Sequence, residues 1–184
     1  MIDIETITEI QRHLLDANYH YWLEHVLFSF NWWFLLVLTI VPWVIWWQVV
    51  DKKRLLEISL IGIFVAIIAT SFDMAGHSLL LWSYNYKLIQ MTPSLSAIDL
   101  ALLPVSFMVI YQLFPKWKSY IIAHIIFSAG GTFVVEPLFA WMGIYTLHGW
   151  KYIYSFPIYI AMGVGFKWLI MRMKARQTRA KKQG

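Results

Sequence analysis

Cysteine is absent from the 184 residues, which excludes disulfides, thiolate metal sites and thiol catalysis. Charge is scarce as well. Asp, Glu, Lys and Arg make up 14% of the chain against 60% hydrophobic residues, too few to coat a soluble domain of this length. The spacings that usually announce chemistry are also missing: there is no HExxH, no Walker loop, no GxSxG and no heme-type histidine pair on one helix. Nor does the chain open like a secretory signal, because "MIDIETITEIQRHLLDANYHYWLEHV" is acidic and polar where a signal would be basic and then apolar.

Long uncharged runs stand in place of these features. No Asp, Glu, Lys or Arg occurs between Glu24 and Asp51, a stretch longer than the ~20 residues that cross a bilayer core. Four further apolar runs come after it, so the sequence predicts an all-α integral membrane bundle of five transmembrane helices. The expected spans are 29–50, 55–82, 97–115, 119–141 and 153–172, with the membrane domain over 26–173. Residues 1–25 read as an amphipathic helix lying on the membrane or on the bundle. Its apolar residues Ile7, Ile10, Leu14, Tyr21 and Trp22 recur at helical spacing, and Thr6 with Glu9 has the form of a capping box. The segment "SYNYKLIQMTPS" reads as a loop, and residues 174–184 as a disordered basic tail.

The net charge of +5 would suggest nucleic acid in a soluble protein, but the basic residues are distributed as in a membrane protein. Lys52, Lys53 and Arg54 follow span one, Lys116 and Lys118 follow span three, and six more from Arg172 to Lys182 follow span five. With five crossings these clusters fall on one face, which the positive-inside rule makes cytoplasmic. The expected address is the cell membrane, with the N-terminus outside and the C-terminus in the cytoplasm. The partner is the bilayer rather than nucleic acid. Trp32, Trp33, Trp82, Tyr84, Trp141 and Trp150 are expected to form the outer aromatic belt, and Trp46, Trp47, Trp117 and Trp168 the inner one.

A few polar residues interrupt the spans. Counting ~1.5 Å per residue from the basic ends places Asp73 and Glu136 both ~26 Å up, and Asp99 opens span three at a similar level. Ionised carboxylates in a membrane usually face the bundle interior or find a partner. Asp73, His77, Asp99 and Glu136 are therefore the candidate polar site. His77 is one turn from Asp73, Thr132 one turn from Glu136, and Ser106 two turns from Asp99. Plainer roles serve other groups. Asp99 also suits a helix start, Pro104 a kink, and Tyr111-Gln112 interfacial packing. The glycines at 130–131 and at 163 and 165 suit close helix packing, and His124 a hydrogen-bonded interior position. Glu57 and Lys167 are placed to snorkel. No ligand spacing calls for a metal, and no cofactor is expected.

At "DLALLPVSFMVIYQLFPKW" and "FVVEPLFAWMGIYTLHGWKYIYSFPIYIAMGV" the chain resembles a family of small uncharacterised five-span membrane proteins of bacilli and clostridia. The shared pattern falls on Asp99, Leu103-Pro104, Tyr111-Gln112, Glu136-Pro137, Gly143-Ile144-Tyr145, Trp150 and the string Tyr154 to Tyr159. The resemblance implies five helices and a plasma-membrane address, and it carries over no catalytic residue. Ser106, Thr132, Tyr145 and Trp150 are the expected supporting residues of the polar site. Three functions are compatible with this layout. The first is binding of a small amphiphile, lipid or partner at an outer-leaflet polar site. The others are an intramembrane enzyme, such as an acid-initiated cyclase or isomerase, and a proton-coupled transporter.

Overall fold

The computed structural model describes residues 3–180. Helix α1 (Ile4–Tyr21) runs into a π-helical turn (Trp22–Val26) and is followed by α2 (Phe30–Val49) and α3 (Leu55–Ser78). After strand β1 (Trp82–Tyr84) a second π turn (Ile98–Leu102) leads into α4 (Leu103–Leu113). Helix α5 (Trp117–Gly130), a third π turn (Gly131–Val135) and α6 (Glu136–Trp141) form one continuous rod, followed by β2 (Tyr145–Leu147) and α7 (Tyr152–Ala180).

The fold is all-α apart from the short β1–β2 pair. Among the described residues, four helices are long and apolar enough to cross a membrane: α2, α3 with its preceding turn, the α5–α6 rod, and α7. The fifth expected span is shorter, 16 residues from Ile98 to Leu113, or ~24 Å of helix. It lies antiparallel along α3. Asp99 meets Asp73 near one end, Met108 sits on Gly62 midway, and Tyr111 reaches Glu57 near the other. Gly62 permits the close approach, since a Cβ there would stand 2.7 Å from the Met108 sulfur.

Exposed Val37, Ile40, Val41, Val44 and Ile45 on α2, with Ile63 and Ile67 on α3, form an apolar exterior that only lipid would solvate well. Inside, Ile58, Ile61 and Val65 of α3 pack with Phe107, Met108 and Tyr111 of α4 and Tyr120 of α5. A smaller core of Leu35, Leu95, Ala97, Phe139 and Ile144 lies toward the β1–β2 end.

Local chemistry moves several expected boundaries. The α1 cap is Asp3, whose Oδ1 accepts from the Thr6 amide at 2.8 Å and its hydroxyl at 2.6 Å, so the capping interaction lies three residues before Thr6–Glu9. None of the α1 residues is buried among the described residues, so α1 is not packed on the bundle. Helix α3 stops at Ser78 rather than 82. There the Leu81 amide turns back to the Gly76 carbonyl, and Leu80 adopts a left-handed φ of 53°. The expected loop then holds β1. Trp82, Ser83 and Tyr84 pair antiparallel with Leu147, Thr146 and Tyr145. The basic segment from 174 is helical as far as Ala180, and the last four residues lie outside the described ones.

At the basic end, side chains cap the backbone. The Gln112 carboxamide accepts from the Asp51 amide at 2.9 Å and donates to the Val49 carbonyl at 2.9 Å, tying α4 to the α2–α3 turn. Lys167 does not snorkel. It is 2% exposed, and its ammonium donates to the Phe114 and Pro115 carbonyls, both at 2.9 Å, where α4 has run out of amide partners.

Candidate functional site

A cavity of about 530 Å³ opens inside the β1–β2 half of the bundle, between α3, α4, the α5–α6 rod and α7. Asp73, Asp99 and Glu136 all line it, as do Ser106, Tyr145 and Trp150. His77 and Thr132 do not. The His77 ring instead stacks behind Tyr84, with centroids 6.3 Å apart and planes within 9°. Thr132 is fully buried on the α5–α6 rod.

The backbone is irregular where two of the acids sit. Asp99 lies within the π turn Ile98–Leu102, and Glu136 directly follows the π turn Gly131–Val135. Each turn precedes a proline, Pro104 or Pro137. Proline offers no amide and crowds the carbonyl four residues back. For Pro104 that carbonyl is Leu100, which accepts from the Trp43 indole at 3.1 Å. A π turn inserts one residue into the helix and swings the side chains beyond it round, a device frequent at functional sites.

The three carboxyls have different surroundings. Asp73 is well supplied with donors. Its Oδ1 accepts from the Trp82 indole at 2.7 Å and the Tyr84 hydroxyl at 2.5 Å, and its Oδ2 accepts from the Leu95 amide at 2.8 Å. Asp99 adjoins Asp73 and is 5% exposed, and its Oδ2 has no hydrogen-bond partner among the described residues. Glu136 accepts from the Tyr159 hydroxyl at 3.0 Å through Oε1, while Oε2 is without a partner among the described residues. Ser155 is its next polar neighbour and accepts from the Trp150 indole at 3.1 Å. Among the described residues lining the cavity there is no Lys, Arg or His.

The β1–β2 pair roofs this space. Alternation along β1 turns Trp82 and Tyr84 to the cavity and Ser83 away, where Ser83 meets His148 at 2.9 Å. Tyr84 stacks on Tyr145 at 5.7 Å and Trp82 meets Trp150 edge-on at 5.2 Å. The Leu81 carbonyl fastens the two loops by accepting from the amides of His148, Gly149 and Trp150. Burial first, and then the Asp73 charge, push the Tyr84 hydroxyl well above its usual pKa, so it stays a donor. Burial likewise raises Tyr145.

Trp82, Tyr84 and Trp150 thus line the cavity; the sequence placed all three in a headgroup belt and, of the three, only Trp150 also beside the candidate site. Tyr84, Trp82, Ser155 and Tyr159 are site residues that reasoning from span heights passed over. Their signals were the two-residue alternation of "WSY" and the four-residue spacing of Ser155 and Tyr159. The cavity also reaches the lateral face of the bundle, since Phe72 and Val134 both line it and are more than half exposed.

Among the described residues no group of three His, Asp or Glu side chains could hold a metal ion. Comparison with family models, with curated proteins and with solved structures finds no match for the chain.

Proposed function

We propose that the protein binds a small amphiphile whose head group is cationic or rich in hydrogen-bond donors. One observation carries this reading: three carboxyls share an aromatic-lined cavity without a basic side chain among the described residues, and two of them hold an oxygen with no partner there. An ammonium would be attracted by the acids and by the faces of the surrounding Trp and Tyr rings. The apolar remainder of such a molecule would lie past Phe72 and Val134 toward lipid. In this reading α4 crosses as a fifth span beside α3, the basic clusters face the cytoplasm, and the cavity opens in the outer half of the cell membrane. The resemblance to the five-span family supports it, because Asp99, Leu103, Glu136, Tyr145, Trp150 and Tyr159 of the shared pattern are cavity residues.

The test compares a long-chain primary amine with the alcohol and the carboxylate of equal chain length. Each is added to the protein in lipid nanodiscs, and thermal unfolding is followed. The amine should raise the melting temperature most. Glu136→Gln and Asp99→Asn should each weaken its binding about tenfold or more, as loss of a charge-assisted contact does. Equal shifts from amine and carboxylate, or acid variants that bind as the wild type does, would overturn the proposal.

A second reading, an acid-initiated cyclase or isomerase, draws on the unpartnered Asp99 oxygen and on the Trp and Tyr rings lining the same cavity, which can stabilise a cation. It requires that membranes making the wild type and Asp99→Asn differ in lipid products.

A further inference from the structure

The inner face of the α5–α6 rod carries polar groups the cavity does not explain. Tyr120, His124, Ser128, Thr132 and Glu136 recur every fourth residue, from the basic end of the span to the cavity. The first four are 0% exposed, in a helix where apolar residues would fill the same positions at less cost. Both His124 ring nitrogens, the Ser128 and Thr132 hydroxyl oxygens and Glu136 Oε2 have no hydrogen-bond partner among the described residues. The sequence led us to expect a hydrogen-bonded His124. Instead the ring is held by shape. Tyr120 and Phe107 meet it edge-on at 4.5 and 4.8 Å, and Gly163 leaves room for its nitrogen-bearing edge, since a Cβ there would lie 2.5 Å away.

The row leads to a second acid. The Tyr120 hydroxyl donates to the Gly163 carbonyl at 2.9 Å, and its ring lies 6.4 Å from that of Tyr111. Tyr111 in turn donates to Glu57, which is paired with Arg54 at 3.1 Å and Lys174 at 2.7 Å, at the edge of the basic face. The charged group packed against the lower end is Lys167 of α7, 4.0 Å over the Tyr120 ring, with two of its protons donated to the Phe114 and Pro115 carbonyls just past α4. Successive positions rise ~6 Å along the helix, so each step of a relay would need one bridging water with two hydrogen bonds of ordinary length. Such polar rows inside membrane bundles mark proton relays.

We propose that this face of the α5–α6 rod is a proton path joining the basic side of the membrane, at Glu57, to Glu136 in the cavity. Each hydroxyl, water or imidazole takes one proton as it releases another. Glu136 then releases its proton through the cavity to the opposite side, so the net change is one proton lost from solution at the Glu57 side and one gained by solution beyond the cavity, and no oxidant or other co-reactant is needed.

The full-length protein reconstituted in vesicles with an internal pH dye tests this. The membrane potential is clamped with valinomycin and potassium, and a pH step is applied outside. Wild-type vesicles should equilibrate several-fold faster than protein-free ones. His124→Phe and Ser128→Ala, which keep the packing, should return the rate to that of empty vesicles, while Ile125→Val on the lipid face should not. In solid-state NMR the labelled His124 nitrogens should also show contact with water. A wild-type rate no faster than empty vesicles, either variant conducting as the wild type does, or a dry His124 ring would overturn the proposal.

Discussion

Lys87 illustrates how one buried side chain sets a pH dependence. It sits in the loop between β1 and α4, 5% exposed, and its ammonium donates to the Thr92 carbonyl at 2.5 Å. Burial pushes its pKa down to about 8, against the opposing pull of Asp73. The unfolded chain holds that proton up to the ordinary value of 10.5. Between these two values the unfolded state binds more protons than the folded state, so stability rises as pH rises through the window. Below it both states are charged and Lys87 adds no slope. Melting temperatures of the micelle-bound protein across pH 8 to 10.5 should therefore climb, and Lys87→Met should remove that part of the climb. Asp73, Asp99 and Glu136 show why residue type alone did not divide the acids by role. Only coordinates reveal that the first already has three protein donors and the others each keep an oxygen unpartnered among the described residues.

Among the elements, the β1–β2 pair and the end of α3 form one unit, held at Gly76. A Cβ there would stand 1.9 Å from the Trp82 ring, so Gly76→Ala must displace the indole from Asp73 and from the cavity roof. We expect about 1–3 kcal/mol of destabilisation, read as lower thermal stability together with a shifted tryptophan emission. Gly130 borders the same cavity with nothing within 4 Å of its Cβ position, so Gly130→Ala should be tolerated. The helices were legible because uncharged runs and basic clusters are one-dimensional signals. The heights of Asp73, Asp99 and Glu136 were legible because helices rise evenly. Facing was not, because the π turns before Leu103 and Glu136 each insert a residue and rotate the rest of the helix relative to its start. The cavity role of Trp82 and Tyr84 was not legible because a belt aromatic and a cavity aromatic have the same composition and depth. Lys167 was misplaced for a related reason: the carbonyls it caps belong to a chain segment 52 residues away in sequence.

For the whole molecule, the number of crossings decides which side each terminus occupies. Five crossings put α1 and the end of α7 on opposite sides; four crossings, with α4 failing to span, put them on the same side. The absence of native cysteine makes the measurement clean. A membrane-impermeant maleimide should label Thr8→Cys in intact cells, and Thr178→Cys only once the membrane is permeabilised. Labelling of both in intact cells would leave α4 short of a full crossing. The gap bordered by Phe72 and Val134 has a consequence of its own. A guest arriving through the side of the bundle dissolves among the acyl chains first, so occupancy follows its mole fraction in the leaflet rather than its molarity in the buffer. Two guests with identical heads and unequal chain lengths would then differ in aqueous potency by their partition coefficients alone. Diluting the protein into more lipid at constant total guest would empty the site.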